Sequence, residues 1–308
     1  MRTLFAALAA LTMIAPAEAQ TPNCLAQWSR LQEVVQMFDL ADTLPPGIVR
    51  QSANGGCHID GLTLPAGPNL NITVDSLEWQ GQDMQRFVTD GLPPRSLIVQ
   101  VTGVGFVPDI GDPVFTYLQG IQSRGRQIDL MLDLEWNEPA RQLSLNALRI
   151  NVPESDYLLL QATVENVDFS TKAAMQSSMG SFGLVQFGAE IRSKHMFQNF
   201  VLLPIGLALL QGADDPKARV AELQDIAYDH IDAAPSEILP GSAKAALKDL
   251  VSDMPDPAGI LRFEQTADPG IGPARFLPLA LQRGAFESLD DIWTLLEGIR
   301  INIIYERL

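Results

Sequence analysis

Metal and thiol chemistry have little to draw on in this sequence. Its three histidines, His58, His195 and His230, stand far apart, its two cysteines form no cluster with them, and no H-E-x-x-H occurs. A zinc site therefore has no local signature. Basic residues are scarce as well: 21 Lys and Arg face 37 Asp and Glu, for a net charge of -16. Nucleic-acid binders gather Lys and Arg on one face, so this balance argues against that class. It also disfavours charge-driven adhesion to anionic headgroups, and leaves apolar lipid contact open.

The common catalytic signatures are missing too. No serine has glycine at both second neighbours, which removes the strand-to-helix nucleophile elbow. Gly270-Ile271-Gly272-Pro273 lacks the third glycine and the lysine of a phosphate loop, and Asp109 to Asp112 lacks EF-hand spacing. Nothing singles out two of the 37 acids as a glycosidase pair. No cofactor is implied. Asp225, Asp229, His230 and Asp232 form the densest local cluster. They read as the solvated side of an amphipathic helix, with a carboxylate or Asp-His site as the alternative.

Long apolar runs are absent beyond the first twenty residues. Phe197 to Leu210 is the most apolar later stretch; it is too short to cross a bilayer, is interrupted by Pro204, and reads as a buried, kinked helix. The first twenty residues have the form of a secretory signal. Arg2 precedes the apolar run Leu4 to Ala15, and Ala17-Glu18-Ala19 matches the A-x-A cleavage site before Gln20. Residues 1–19 are thus expected to be removed, leaving an exported, soluble, periplasmic chain with no transmembrane segment. A lipoprotein signal fits less well, because Cys24 follows Thr21-Pro22-Asn23 instead of small apolar residues. In an oxidising compartment Cys24 and Cys57 are expected to form one disulfide. No C-x-x-C spacing or basic cluster marks them as a reactive pair.

What the chain does contain is a recurring strand pattern, apolar-x-apolar-x-x-apolar-x-apolar. It occurs at Ile72 to Trp79 (ITVDSLEW), Val99 to Phe106 (VQVTGVGF), Leu143 to Ile150 (LSLNALRI) and Ala162 to Phe169 (ATVENVDF). About one such window is expected by chance. The slip of parity reads as a β-bulge, which keeps apolar side chains on one face across an extra residue and bends the strand. Ile128 to Trp136 alternates without a slip, Val185 to Ile191 adds another strand, and turns at Asn137 to Ala140 and Pro153 to Asp156 make an antiparallel meander.

Helical spacing surrounds this sheet. Asn23 caps a helix with Trp28, Leu31, Val34, Val35 and Phe38 inward. Asp112-Pro113 opens one with Val114, Tyr117, Leu118 and Ile121 on one face. Asp215-Pro216, Ser242 and Ser288 start three more, Gly259 to Thr266 is a strand, and Ile299 to Tyr305 closes the chain. Residues 20–308 are read as a single α+β domain: a curved, mainly antiparallel sheet of bulged strands (β-rich 70–192), a mainly helical part (194–298) and a closing strand (299–306).

Trp79, Phe106, Trp136, Ile150 and Phe169 are expected to share the apolar face of that sheet. Helices of the second half either bury the face as plain core or leave a groove for an acyl chain or other hydrophobic ligand.

The export signal, followed by short bulged strands such as LSLNALRINV and YLLLQATVENVDF, resembles the AsmA-like and YdgA-like bacterial envelope proteins over about Leu70 to Phe169. That resemblance implies curved sheets that form lipid-conducting grooves and a part in outer-membrane homeostasis. The chain departs from the group in having no N-terminal transmembrane anchor and a large helical second half. The expected function is a non-enzymatic envelope module that binds a partner protein or a hydrophobic ligand. An envelope hydrolase with a spatially assembled acidic site is the alternative.

Overall fold

Ten strands form one antiparallel sheet in which every strand is hydrogen-bonded to the next one in the chain. The computed structural model describes residues 23–37, 49–65, 69–108, 111–123, 125, 127–275 and 296–308. The sheet comprises β1 (Val49–Gln51), β2 (Cys57–Pro65), β3 (Leu70–Gln80), β4 (Ser96–Pro108), β5 (Ile128–Asn137), β6 (Gln142–Asn151), β7 (Tyr157–Glu165), β8 (Gly183–Ser193), β9 (Gly259–Ile271) and β10 (Ile299–Arg307). Helices α1 (Cys24–Met37), α2 (Met84–Thr89), α3 (Pro113–Ser123), α4 (Lys172–Ser178), α5 (Leu202–Leu210), α6 (Pro216–Ala233) and α7 (Gly241–Asp253) lie before or between strands. The fold class is the α+β antiparallel one expected. The export signal, Phe38 and the helix expected from Ser288 lie outside the described residues.

Bulges occur where parity slips in the sequence. Along β4 the register against β5 shifts between Val101 and Val104, and along β6 the register against β7 shifts between Leu145 and Leu148. At β3 the irregularity involves two strands at once: Asp75 and Gly103 fall between the paired residues Thr73/Gly105 and Ser76/Thr102. Gly103 has φ 68°, and a Cβ there would meet the Asp75 carboxylate, so only glycine fits. The fourth copy is different. β7 stops at Glu165 and Asn166 turns at φ 62°, so Val167 and Phe169 lie beyond the strand and the spacing of Ala162 to Phe169 marks a turn instead of a bulge.

Bulged pairing keeps one face apolar. Val99, Leu132, Leu148, Leu160, Ala189 and Phe263 are successive partners across β4 to β9, and directly opposed residues share a face. The other face is polar. There Arg149 stacks over the Tyr157 ring at 4.2 Å, the Tyr157 hydroxyl donates to Glu190, and Arg262 bridges Glu190 (2.8 Å) and Glu306 (3.0 Å). That hydrogen bond to Glu190 raises the Tyr157 phenol above its ordinary value.

The apolar face is capped at its two ends. At β2 to β4, α1 lays Trp28 against Trp79, with ring centroids 6.0 Å apart, over Ile59, Leu62 and Val74. Asn23 accepts from Ala26 N at the helix start, and the Cys24–Cys57 disulfide ties α1 to β2. Buried Gln27 accepts from Trp79 Nε1 at 2.9 Å. At β9 and β10, α7 packs Ala243, fully buried, on Ile303 and Leu261. The end of α7 is fastened by Asp253, which accepts from the Tyr305 hydroxyl (2.9 Å) and from Arg307 (2.8 Å).

Two outcomes follow. Replacing Cys24 and Cys57 by serine opens a 33-position loop and is expected to cost about 3 to 4 kcal/mol in chemical denaturation. Burial, reinforced by Asp253, pushes the Tyr305 phenol up to about 12. An unfolded tyrosine ionises near pH ~10, so above that the unfolded chain loses its proton first and stability falls as pH rises through about 12. Tyr305→Phe is expected to flatten this alkaline decline when melting temperature is followed against pH.

Candidate functional site

Between the two caps, the apolar side chains of β5 to β8 have no fully buried row above them. Leu130, Leu132, Leu148, Leu158, Leu160 and Phe187 are all half-buried, whereas Ile59, Leu62, Val74 and Trp79 beneath α1 and Ile303 beneath α7 are buried. Neighbours along and across the sheet cover their flanks, and their tips form a continuous strip. Three inter-strand spacings make it about 14 Å between the axes of β5 and β8, and the span from Leu130 to Trp136 is about 20 Å along β5. The outline of the strip, about 280 Å², approaches the size of the largest apolar patch on an ordinary monomer.

The five aromatic and aliphatic residues expected on this face divide among four places. Ile150 stands in the strip, paired with Leu130 and Leu158. Trp79 is on the same face but lies beneath Trp28. Trp136 closes one corner: it is buried, its Nε1 donates to Val167 O at 3.0 Å, and the Phe169 ring lies 5.6 Å away. Arg86 of α2 lies 5.0 Å over the Trp136 ring and donates to Phe169 O, so this corner is filled. Phe106 is at the opposite end of the sheet, opposite Ile72, and is 51% exposed. The cover at β2 to β4 comes from the first helix of the chain, whereas helices of the second half were expected to supply it.

One polar side chain sits among these apolar rows. Gln265 pairs with Phe187 and Ile301 at the border between the strip and the α7 cap, is buried, and its Nε2 has no hydrogen-bond partner. An unpaired buried amide costs stability, so it marks a position where packing has not been optimised.

The other candidates are not assembled. Asp225, Asp229, His230 and Asp232 lie exposed along α6, and Asp232 pairs with Lys248 at 2.6 Å. His58 lies between Asp60 and Glu78 on the polar face, and His195 lies 3.2 Å from Glu154. No group of three or more His, Cys, Asp or Glu among the described residues could hold a metal ion. A concavity of about 580 Å³ beside Cys57 is lined by Gln27, Asn54, Gln82 and Trp79, and one of about 610 Å³ lies along α5 and Pro216. Neither lies over β5 to β8.

Two features were missed in sequence. The first is Asp156, the end of the Pro153 to Asp156 turn. Its buried carboxylate accepts from Lys194 N (2.7 Å), His195 N (2.8 Å) and Met196 N (2.7 Å), fastening the chain after β8 to the β6–β7 turn. The second is the exposure of α5. Residues Phe197–Val201 form a π-helical turn and Leu202–Leu210 an α-helix, as the Pro204 kink foretold, but α5 has no buried residue. It packs on α6 and on its own preceding turn. The expectation of a buried helix fails because no described residue opposes its outer sides.

Comparison of the chain with family models, with curated proteins and with solved structures finds no match.

Two substitutions probe this arrangement. Asp156→Ala strands three amide donors and is expected to lower unfolding free energy by about 2 kcal/mol. Gln265→Leu removes the orphan amide and is expected to raise it by about 1 kcal/mol, read from denaturant midpoints at constant slope.

Proposed function

We propose that this protein is a non-enzymatic module of the bacterial envelope, exported to the periplasm, that handles an acyl chain or similar hydrophobic ligand on the strip between α1 and α7. The observation that carries the reading is the strip itself: apolar rows four strands wide, with α1 and α7 packed at its two ends and only partly buried side chains between them among the described residues. Covering what is left exposed of a half-buried leucine is worth a fraction of the ~1.5 to 3 kcal/mol of full burial, so a ligand gains its affinity by spanning several such leucines. The resemblance to AsmA-like envelope proteins and the export signal support the compartment and the ligand class.

Adjacent leucines give a matched test. Leu160 faces the strip, paired with Leu148 and Ala189, and Leu159 faces the polar side, paired with Arg149 and Glu190. Both are half-buried. With a fluorescent fatty-acid analogue, Leu160→Gln is expected to weaken binding by about tenfold and Leu159→Gln to leave it unchanged. A chain that binds no such probe, or two variants that behave alike, would reject the strip as the site.

A further inference from the structure

We infer that the end of the sheet from which α3 and α5 emerge docks on a lipid bilayer, with both helices lying in its interfacial layer. The inference deepens the hydrophobic-ligand reading by naming where the ligand is taken up, and rests on that reading only for this purpose.

Register places the two helices at one end. β4 runs from Ser96, opposite Glu135, to Val104, opposite Ile128, and α3 follows its far end. β8 ends at Ser193, two residues past Ile191, which is linked through Leu158 and Ile150 to Leu130, the neighbour of that same end of β4. Phe106, exposed on the apolar face, lies there too.

Both helices show apolar surface to solvent. On α3, Val114, Tyr117, Leu118 and Ile121 form one stripe and all are exposed, Tyr117 by 69%. Gln119 and Gln122 bond to each other on its other side. Such an uncharged amphipathic helix lies flat at a membrane surface, with the tyrosine hydroxyl at headgroup level. On α5, Leu203 (70% exposed) and Leu207 (63%) are on one side, and Ile205 and Leu209 are on the opposite side. A flat protein contact covers one side of a helix, whereas the soft headgroup–acyl boundary takes up Leu203 and Leu207 together with the flanks that Ile205 and Leu209 present. At nine residues, about 14 Å long, α5 cannot span a ~30 Å hydrocarbon layer and remains interfacial.

Charge singles out the same surface. No Asp, Glu, Lys or Arg occurs between Lys194 and Asp214 or within Pro113–Ser123, in a chain of net charge -16. Anionic headgroups repel the acidic remainder, exposed Asp112 and Glu154 at the same end included, so the two uncharged helices are the segments that approach, by apolar insertion and with little dependence on salt.

Flotation of the purified chain with phosphatidylcholine vesicles, with and without phosphatidylglycerol, tests this. The chain is expected to float with both and to stay bound as salt is raised. Leu203→Glu with Leu207→Glu is expected to cut the bound fraction by at least about tenfold while circular dichroism is unchanged, and Tyr117→Glu to give a smaller loss. The inference is overturned by a wild-type chain that does not float, by a double variant that floats equally well, or by binding that needs phosphatidylglycerol and is lost in salt. A dimer in sedimentation that the double variant dissociates also overturns it. The fatty-acid analogue in vesicle-free solution separates the two readings. A double variant that binds the probe but not vesicles supports docking, and a wild-type chain that binds vesicles but not the probe removes the strip alone.

Discussion

Every strand from β2 to β10 has to present its apolar residues to one side of a single sheet, and a two-residue period allows this only while neighbours stay in register. Ten strands accumulate twist and bend, so an unbroken register is hard to hold. The bulges at Val101 to Val104 and Leu145 to Leu148 resolve the conflict, because the extra residue is absorbed locally and the apolar parity is recovered beyond it. Without them, Leu148 and Ile150 would turn to the side of Arg149 and Glu190, and the cross-strand rows would be broken in the middle of the sheet.

Once the face is continuous, it is far wider than the helices available to cover it. A helix with its side chains is about 10 Å across, roughly two inter-strand spacings. α1 and α7 therefore seal only the two ends, where Trp28 meets Trp79 and Ala243 meets Ile303. The helix with the most apolar surface left, α5, is not used as a cover. Asp156 binds three successive amides directly after β8 and fixes the start of that segment at the end of the sheet. The uncovered strip and the exposed helix are two results of one tether.

Much of the sheet was legible from parity alone. ITVDSLEW, VQVTGVGF and LSLNALRI became bulged strands because each has apolar residues on both sides of a slip, and the Cys24–Cys57 bridge followed from two thiols in a chain expected to be exported. ATVENVDF misled because a turn at Asn166 produces the same spacing as a bulge. β2 went unread although Cys57, Ile59, Leu62 and Leu64 carry the same pattern, since Gly61 and the flanking Gly and Pro residues read as loop. Local periodicity also says nothing about what lies opposite an element. The face containing Ile150 was identified, and α7 of the second half covers its β9–β10 end as expected, but the cover over β2 to β4 comes from α1, because the partner of a strand face is fixed by contacts distant in the chain.

The same limit explains α3 and α5. Val114, Tyr117, Leu118 and Ile121 have the spacing of a core-facing helix, and that spacing is equally the signature of a helix lying at an interface. Charge is what separates the two cases. A core-facing helix at the surface of a chain this acidic carries charged residues on its solvated side, as α6 does with Asp225, Asp229 and Asp232. α3 and α5 carry none on any side. A helix lacking charge on every side gains nothing from water on either one, so its stable placement is in a core or in an apolar medium outside the protein. Among the described residues no core lies over α3 and α5, and the inferred bilayer supplies the apolar medium instead.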